Sequence, residues 1–147
     1  MPPPTNRRKR SLVLAVLLSI SACCTQAMAD ETTCPLPGQK RALMVQMFFG
    51  LSIEHRGPVT NREWNDFLRR TVTPRFPDGF TVYDAYGQWQ DRNTRHIVRE
   101  RSKVIEVATE DSETTHDGIA AISDAYRNRF HQQSIAIVSH MACVAFT

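Results

Sequence analysis

Residue types that bind polar ligands lie in two neighbouring stretches of the chain, Gln88-Trp89 and Glu100 to Lys103. Asp91-Arg92-Asn93-Thr94 between them predicts a hairpin turn that brings the two stretches together. An amide, an indole, a carboxylate and an ammonium group at one place could bind a polar ligand, and burial could shift the pKa values of the titrating groups. The alternative is a structural cross-strand network in which Trp89 packs the hairpin.

The register of this hairpin decides which side chains meet. A four-residue turn predicts that Gln88 lies near Ile97 and Ala85 near Glu100. Gly87 predicts a bulge, because a glycine inside a strand weakens the ladder, and a bulge would reverse some of these faces. The sequence therefore leaves open which of the candidate side chains converge.

Arg75 is a further candidate, in the stretch TPRFPDG at residues 73–79. Pro74 disfavours helical geometry at Thr73, so a helix is expected to end there. Pro77-Asp78-Gly79 predicts a turn, because proline fixes φ and glycine permits positive φ. Two roles for Arg75 stay open: it bonds the last carbonyl groups of the preceding helix, or it binds an anion.

Signatures of metal and cofactor sites do not occur in the chain. Glu54-His55-Arg56 combines an acid, a base and an anion binder, but three adjacent residues cannot all face one point. The phosphate loop, the zinc-binding H-E-x-x-H motif, the dinucleotide glycine pattern and the nucleophile elbow are all missing. The histidines lack the spacing of ligands; they are His55, His96, His116, His131 and His140. The sequence predicts no metal and no cofactor, and it leaves open whether the protein is an enzyme.

The first 22 residues are typical of an export signal. Residues 6–10 (NRRKR) are basic and residues 12–20 (LVLAVLLSI) are apolar but shorter than a membrane-spanning helix. Without the four basic residues of that leader, 14 Lys and Arg face 15 Asp and Glu, a net of −1. No basic surface remains that would predict nucleic-acid binding.

Two cleavage sites compete in this leader. Ile20-Ser21-Ala22-Cys23 fits the bacterial lipobox, in which Cys23 is acylated and becomes the new N-terminus, and residues 23–39 would then form a tether. Ala27-Met28-Ala29 fits ordinary cleavage before Asp30. An uncleaved anchor is the third possibility. We expect the lipobox to be used, which gives an exported periplasmic protein held on the membrane by lipid; ordinary cleavage would give a soluble periplasmic or secreted protein.

Residues 40–147 are expected to form one domain. The segments predict strands at 41–51, 80–90, 96–108 and 134–146, with helices at 61–71 and from about 110–112 onward. The first helix has a capping box, because Thr60 and Glu63 have the spacing at which each side chain bonds the amide of the other. The order β-α-β-β-α-β predicts an α+β, ferredoxin-like fold: a four-stranded antiparallel sheet with two helices on one face.

The usual strand order of this fold, 4-1-3-2, has a consequence for the cysteines. It places the start of the first strand, near Cys34, beside the end of the last strand, near Cys143. Such a pair can reach the Cα separation of a disulfide, roughly 4.4–6.8 Å, and an oxidising compartment would favour the bond. We expect this disulfide; two unpaired thiols are the alternative.

Several short motifs carry a family resemblance that spans roughly residues 40–146. They are Phe49-Gly50-Leu51, Gly57-Pro58-Val59, Glu63-Trp64 with Phe67-Leu68, Thr73 through Gly79, Gly87-Gln88-Trp89 and Ser102-Lys103-Val104. In this pattern the chain resembles a bacterial exported family catalogued as domain of unknown function 3574, although Arg101 stands where that family has proline. The resemblance implies an envelope location and no known activity, so it transfers no catalytic residue.

The first strand is apolar on both faces, with Met44 and Phe48 on one and Leu43, Val45, Met47 and Phe49 on the other. Because helices cover only one face of a ferredoxin-like sheet, one apolar set lies on the open face. Either a second copy or another envelope protein covers it, or edge side chains and the terminal segments do. The sequence thus favours a lipid-tethered binding or assembly module. The alternative is a small enzyme with a pocket on the open face or at the hairpin.

Overall fold

The computed structural model describes residues 33–90, 92 and 94–146, so the predicted signal and Cys23 lie outside the described residues. The secondary structure follows the predicted order β-α-β-β-α-β. The elements are β1 (Lys40–Gly50), α1 (Asn61–Phe67), a π-helical turn (Leu68–Val72), β2 (Thr81–Gln90), β3 (Ile97–Thr109), α2 (Glu113–Phe130) and β4 (Ala136–Val144).

All neighbouring strands of the sheet are antiparallel, in the order β2-β3-β1-β4. From the β4 edge this is the predicted order 4-1-3-2, consistent with the ferredoxin-like arrangement. The two central strands pair from Leu43 opposite Thr109 to Gly50 opposite Ser102. On the other side of β1, Ala42 lies opposite Ala142. The sheet therefore has two edges, β2 and β4.

The core lies between one face of the sheet and the two helices. Alternate side chains of a strand point to opposite faces, and the buried set on β1 is Leu43, Val45, Met47 and Phe49. They pack against the apolar faces of the helices, which contribute Trp64, Phe67, Ile122, Tyr126 and Phe130. Phe49 meets Tyr126 edge to face, with ring centroids 4.7 Å apart, a geometry that aromatic pairs prefer.

The predicted capping box starts α1. The Thr60 hydroxyl accepts the Glu63 amide at 3.3 Å, and Glu63 Oε2 accepts the Thr60 amide at 2.9 Å. Arg56 adds a two-pronged ion pair to the same carboxylate at 3.0 and 3.1 Å. These bonds stabilise the charged form of Glu63 and lower its pKa to about 2. The bond from the Thr60 amide is the largest cause, and the bonds from Arg56 are the next largest.

The helical segment ends at Val72, close to the predicted end, but the conformation of the next residue differs from the prediction. Thr73 keeps helical dihedrals, φ −54° and ψ −41°, although Pro74 follows it. The reason is the π-helical turn, because the Thr73 amide donates to the Leu68 carbonyl at 2.9 Å and fixes the backbone of this capping residue. Phe76 is buried after this turn, and Gly79 has a φ of +121°, as the turn prediction requires.

Two expectations for the β2–β3 hairpin were wrong. Gln88 lies opposite Arg99 and Ala85 opposite Ser102, because the connection covers residues 91–96 rather than four residues. The bulge is absent as well, since Gly87 lies opposite Glu100 in an unbroken register. Of the predicted turn, Asp91 and Asn93 lie outside the described residues.

The predicted disulfide between Cys34 and Cys143 is confirmed, with Cα atoms 5.6 Å apart. Cys143 lies opposite Arg41 at the start of β1, as the sheet order required. The side-chain amide of Gln39 also donates, through Nε2, to the Cys143 carbonyl at 3.2 Å. The segment before β1 is therefore joined to the end of β4 by a covalent bond and a hydrogen bond.

Candidate functional site

The hairpin candidates do not share one face. Gln88 and Lys103 have the parity of the core-facing positions, whereas Trp89 and Glu100 have the opposite parity. The observed register and the alternation of strand side chains produce this separation. The four residues therefore do not form the single polar site that their proximity in sequence suggested.

Lys103 forms an ion pair within the hairpin. Its ammonium nitrogen lies 2.5 Å from Asp84 Oδ1, and its side chain is only 12% exposed. The hydrogen bond from Lys103 lowers the pKa of Asp84, because it stabilises the carboxylate. This geometry favours the cross-strand interpretation for Lys103.

Glu100 anchors the loop that follows β1. Its Oε1 accepts the Ser52 amide at 3.0 Å, while the Gln132 side chain donates to the Ser52 carbonyl at 2.6 Å. Gly50 leaves room for this contact, because a Cβ there would lie 2.7 Å from Glu100 Oε1. The carboxylate therefore has a structural role in holding the loop against the sheet.

The outer part of the hairpin is exposed and apolar. Gln88 and Trp89 are both exposed, and Trp89, at 52% exposure, lies outside the buried core. Tyr86 and Ile97 are exposed with it. This part of the hairpin extends beyond Gly50, where β1 ends, and none of the described strands pairs with it on the β1 side.

Arg75 bonds the end of the first helical segment. Its Nη1 donates to the Thr71 carbonyl at 2.7 Å. The aliphatic part of the side chain lies along α2 at Gly118, where a Cβ would be 3.7 Å from Arg75 Cβ. The observed contact favours the helix-capping role over the anion-binding one.

The charged triplet after β1 diverges, as its spacing predicted. Glu54 and His55 contact each other at 3.3 Å, with both side chains almost fully exposed. Arg56 is directed to Glu63 instead. These three side chains do not converge on one point.

A polar row on the helix-free face was missed. Glu106 accepts from Tyr83 Oη at 2.9 Å and from Gln46 Nε2 at 2.6 Å, so three strands contribute to one hydrogen-bonded group. The bond to Glu106 raises the pKa of Tyr83. Apolar pairs flank the row, with Phe48 opposite Val104 on one side. The only sequence signal was a polar Glu106 between two apolar residues.

A cluster of arginines was missed as well. Asp66 Oδ1 accepts from Arg69 at 2.6 Å and from Arg70 at 2.7 Å, and its Oδ2 accepts from Arg129 at 3.1 Å. The bond from Arg70 is the main cause that lowers the pKa of Asp66 to about 2. A groove of about 870 Å³ surrounds the cluster; its lining also includes Arg62, Glu63 and Asn65. We call it the arginine groove.

Within residues 33–90, 92 and 94–146, no three His, Cys, Asp or Glu side chains are grouped as metal ligands would be. Over the same residues, the helices are too short or too polar to cross a bilayer.

Solved structures share the fold. A phage SAM lyase in complex with S-methyl-5'-thioadenosine superposes with a TM-score of 0.52 at 15% identity, covering 71% of this chain and 90% of the lyase. A phage SAM lyase in the apo state gives 0.52 at 16% identity, covering 78% of this chain and 95% of that chain. At this identity the likeness shows a common fold alone. No curated protein matches the chain significantly.

The family resemblance seen in the sequence is confirmed. The family match extends over residues 44–146, from the middle of β1 to the end of β4 and beyond it. This range includes both helices, the whole hairpin and the motif from Thr73 through Gly79. The chain belongs to the family described as "Protein of unknown function (DUF3574)".

Proposed function

We propose that the protein is an exported, lipid-anchored assembly module that associates with a second copy of itself through β4 and the adjoining helix-free face. The observation that carries this proposal is the chemistry of β4, an edge strand with apolar side chains exposed on both faces. An edge strand offers unpaired backbone groups, so it is a template for pairing with another chain.

β4 lacks the features that protect edge strands from association. Its nine residues, AIVSHMACV, include no Lys, Arg, Asp, Glu or Pro. Val138 is 49% exposed on the helix-free side, and Ile137 and Met141 are exposed on the other side. The opposite edge, β2, also exposes Tyr86 and Trp89, but it carries a charged residue, Asp84, whose carboxylate pairs with Lys103 of β3. The asymmetry makes β4 the edge that supports association.

A second copy is the favoured partner because the open edge of β4 can pair with the same edge of another molecule. Two copies of β4 that run antiparallel about a two-fold axis would join two four-stranded sheets into one of eight strands. Val138 would then lie at the junction of the two sheets, on the same helix-free face as Phe48 and Met44, which are half-buried. Burial of this surface supplies the driving force.

Export and lipid anchoring belong to the same proposal. The basic and apolar segments of the leader and the lipobox at Cys23 support them. The disulfide between Cys34 and Cys143 adds support, because such bonds persist in oxidising compartments. Intact-mass measurement of the membrane fraction tests the anchor: an acylated N-terminus at Cys23 is expected, and a mature protein beginning at Asp30 would contradict it.

The association is tested with a charge placed on β4. We expect the purified protein to be a dimer by light scattering and Val138→Lys to be a monomer with an unchanged circular dichroism spectrum. Tyr86→Lys is the matched control, because Tyr86 lies on the other edge strand and is 78% exposed. A monomeric wild-type protein, or dimers in both variants, would refute pairing through β4.

A second candidate function rests on Glu106. A carboxylate that bonds Tyr83 and Gln46 on the helix-free face, beside apolar pairs such as Phe48 and Val104, is placed to act as an acid or base if a second copy or a ligand covers it. We therefore keep a small enzyme with a pocket on the helix-free face as the alternative. The phage SAM lyase has the same fold, which is compatible with this alternative but is not evidence for it.

This alternative has a direct binding test. S-methyl-5'-thioadenosine is the probe, because it is bound in the lyase structure. Calorimetric titration should show binding to the wild-type protein and a loss with Glu106→Gln, whereas Glu110→Gln, which removes the same charge just beyond β3, should bind normally. An absence of binding to the wild-type protein, or equal binding to both variants, would count against the enzyme candidate.

A further inference from the structure

We propose that the arginine groove on the helical side of the protein binds a phosphate-bearing anion. This proposal is independent of the association through β4. The groove lies between α1, with the turn that follows it, and the end of α2, which supplies Arg129. It is away from the sheet face on which the proposed assembly rests.

The charges in the groove are out of balance. Arg62, Arg69, Arg70 and Arg129 line it together with only two carboxylates, which leaves a formal charge of +2. One of those carboxylates, Glu63, is already paired with Arg56, which is outside the groove lining. The lining therefore holds twice as many arginines as carboxylates, and the carboxylates do not neutralise it.

The arginines keep donors available for a second acceptor. Asp66 contacts one nitrogen of each guanidinium: Nη2 of Arg69, Nε of Arg70 and Nη2 of Arg129. A guanidinium carries five N–H donors in a planar fork, and that fork matches the oxygens of a phosphate group. Most of the donors around Asp66 can therefore bond an incoming anion without breaking the existing contacts.

The existing contacts also orient the site in advance. Asp66 is held by arginines from both helical segments, and its low pKa keeps it charged at neutral pH. The Arg129 guanidinium lies over the ring of Phe130, 5.1 Å from its centroid, which restricts that side chain further. Because the guanidiniums are partly fixed, binding an anion costs less side-chain entropy than it would on free surface arginines.

The groove is open to the ligand. The side chains of Arg69 and Arg70 are 70% and 67% exposed, so their free donors face solvent. A phosphate dianion would balance the formal charge of +2. The shared chemistry is a phosphate group, which a soluble phosphorylated compound or the headgroup of an anionic phospholipid could supply.

The first arm of the test uses inorganic phosphate at low ionic strength. Calorimetry on the purified full-length protein should detect binding, and hydrogen exchange should show protection at residues of the groove. Arg70→Gln and Arg129→Gln should each weaken phosphate binding at least about tenfold, the loss expected for one charge-assisted hydrogen bond. Arg127→Gln is the matched control, because Arg127 lies on the same helix but pairs with Asp124 outside the groove.

The second arm uses vesicles to distinguish the two sources of phosphate. Vesicles of phosphatidylcholine alone are compared with vesicles that contain phosphatidylglycerol, so that a lipid anchor contributes equally to both. A preference for phosphatidylglycerol that disappears with Arg70→Gln assigns the groove to lipid headgroups; phosphate binding without that preference assigns it to soluble compounds. The proposal is overturned if neither probe binds, or if Arg127→Gln weakens binding as much as the groove variants do.

Discussion

Replacement of Gly118 by alanine is expected to stabilise the protein. Gly118 lies inside α2, six residues after Ser112, whose hydroxyl caps the helix, and it is not among the glycines with positive φ. A glycine inside a helix costs stability, because the unfolded chain has more conformations to lose and the folded helix gains no side-chain contact. Alanine removes this cost wherever the added methyl group fits.

The structure indicates that the methyl group fits. A Cβ at Gly118 would lie 3.7, 3.9 and 4.0 Å from the Cβ, Cδ and Cγ atoms of Arg75, which are ordinary van der Waals distances. The expected gain is therefore the helix-propensity difference of about 0.5–1 kcal/mol. For a domain of this size that gain corresponds to a rise in melting temperature of roughly 2–6 °C.

The assay is equilibrium urea unfolding, with a midpoint that rises while the slope stays unchanged. Gly50→Ala is the contrasting variant, because the same chemical change there places a Cβ 2.7 Å from Glu100 Oε1. The carboxylate would have to leave the Ser52 amide, at an expected cost of about 1–2 kcal/mol. A destabilised Gly118→Ala, or a Gly50→Ala as stable as the wild type, would refute this account of the two sites.

Three further changes test the contacts at the ends of the elements, each by urea unfolding. Serine at both Cys34 and Cys143 should lower the free energy of unfolding by up to about 5 kcal/mol, because the disulfide closes a loop that spans 109 residues and so restricts the unfolded chain; an unchanged midpoint would contradict this reasoning. Glu63→Ala should lower the free energy of unfolding by about 1 kcal/mol at neutral pH. Because folding lowers the pKa of Glu63 from 4.5 to about 2, this difference from the wild type should be complete above pH 4.5 and should vanish as the pH falls through about 2. Arg75→Ala should lower the free energy of unfolding by about 1 kcal/mol, because it leaves the Thr71 carbonyl without its donor. An unchanged free energy of unfolding would favour the anion-binding role instead.

The sequence could predict the fold because its local signals agreed with one another. The apolar run of β1, the capping box at Thr60 and the turn at Pro77 to Gly79 each marked an element or its end. The order of those elements limited the topology, and the topology placed Cys34 beside Cys143. Each step used contacts that are close in the chain or are imposed by the order of the strands.

Local rules did not determine the register of the hairpin or the backbone conformation of Thr73. The connection between β2 and β3 covers residues 91–96, and this shift alone changed the partner of Gln88 from Ile97 to Arg99. The π-helical turn kept Thr73 helical although the rule for residues before proline disfavours it. Both outcomes depend on hydrogen bonds of the folded chain, which cannot be predicted from the pattern of residue types.

By itself the sequence determined the elements, their order, the disulfide and the expectation of export, because these depend on periodicity, caps and spacing along the chain. Only the tertiary structure brought Asp66 to Arg129, 63 residues apart, and Gln46 to Glu106, 60 residues apart. It also separated Gln88 and Lys103 from Trp89 and Glu100 onto opposite sides of the hairpin. The physical reason is that convergence of side chains depends on register and packing, which are set by long-range contacts between elements.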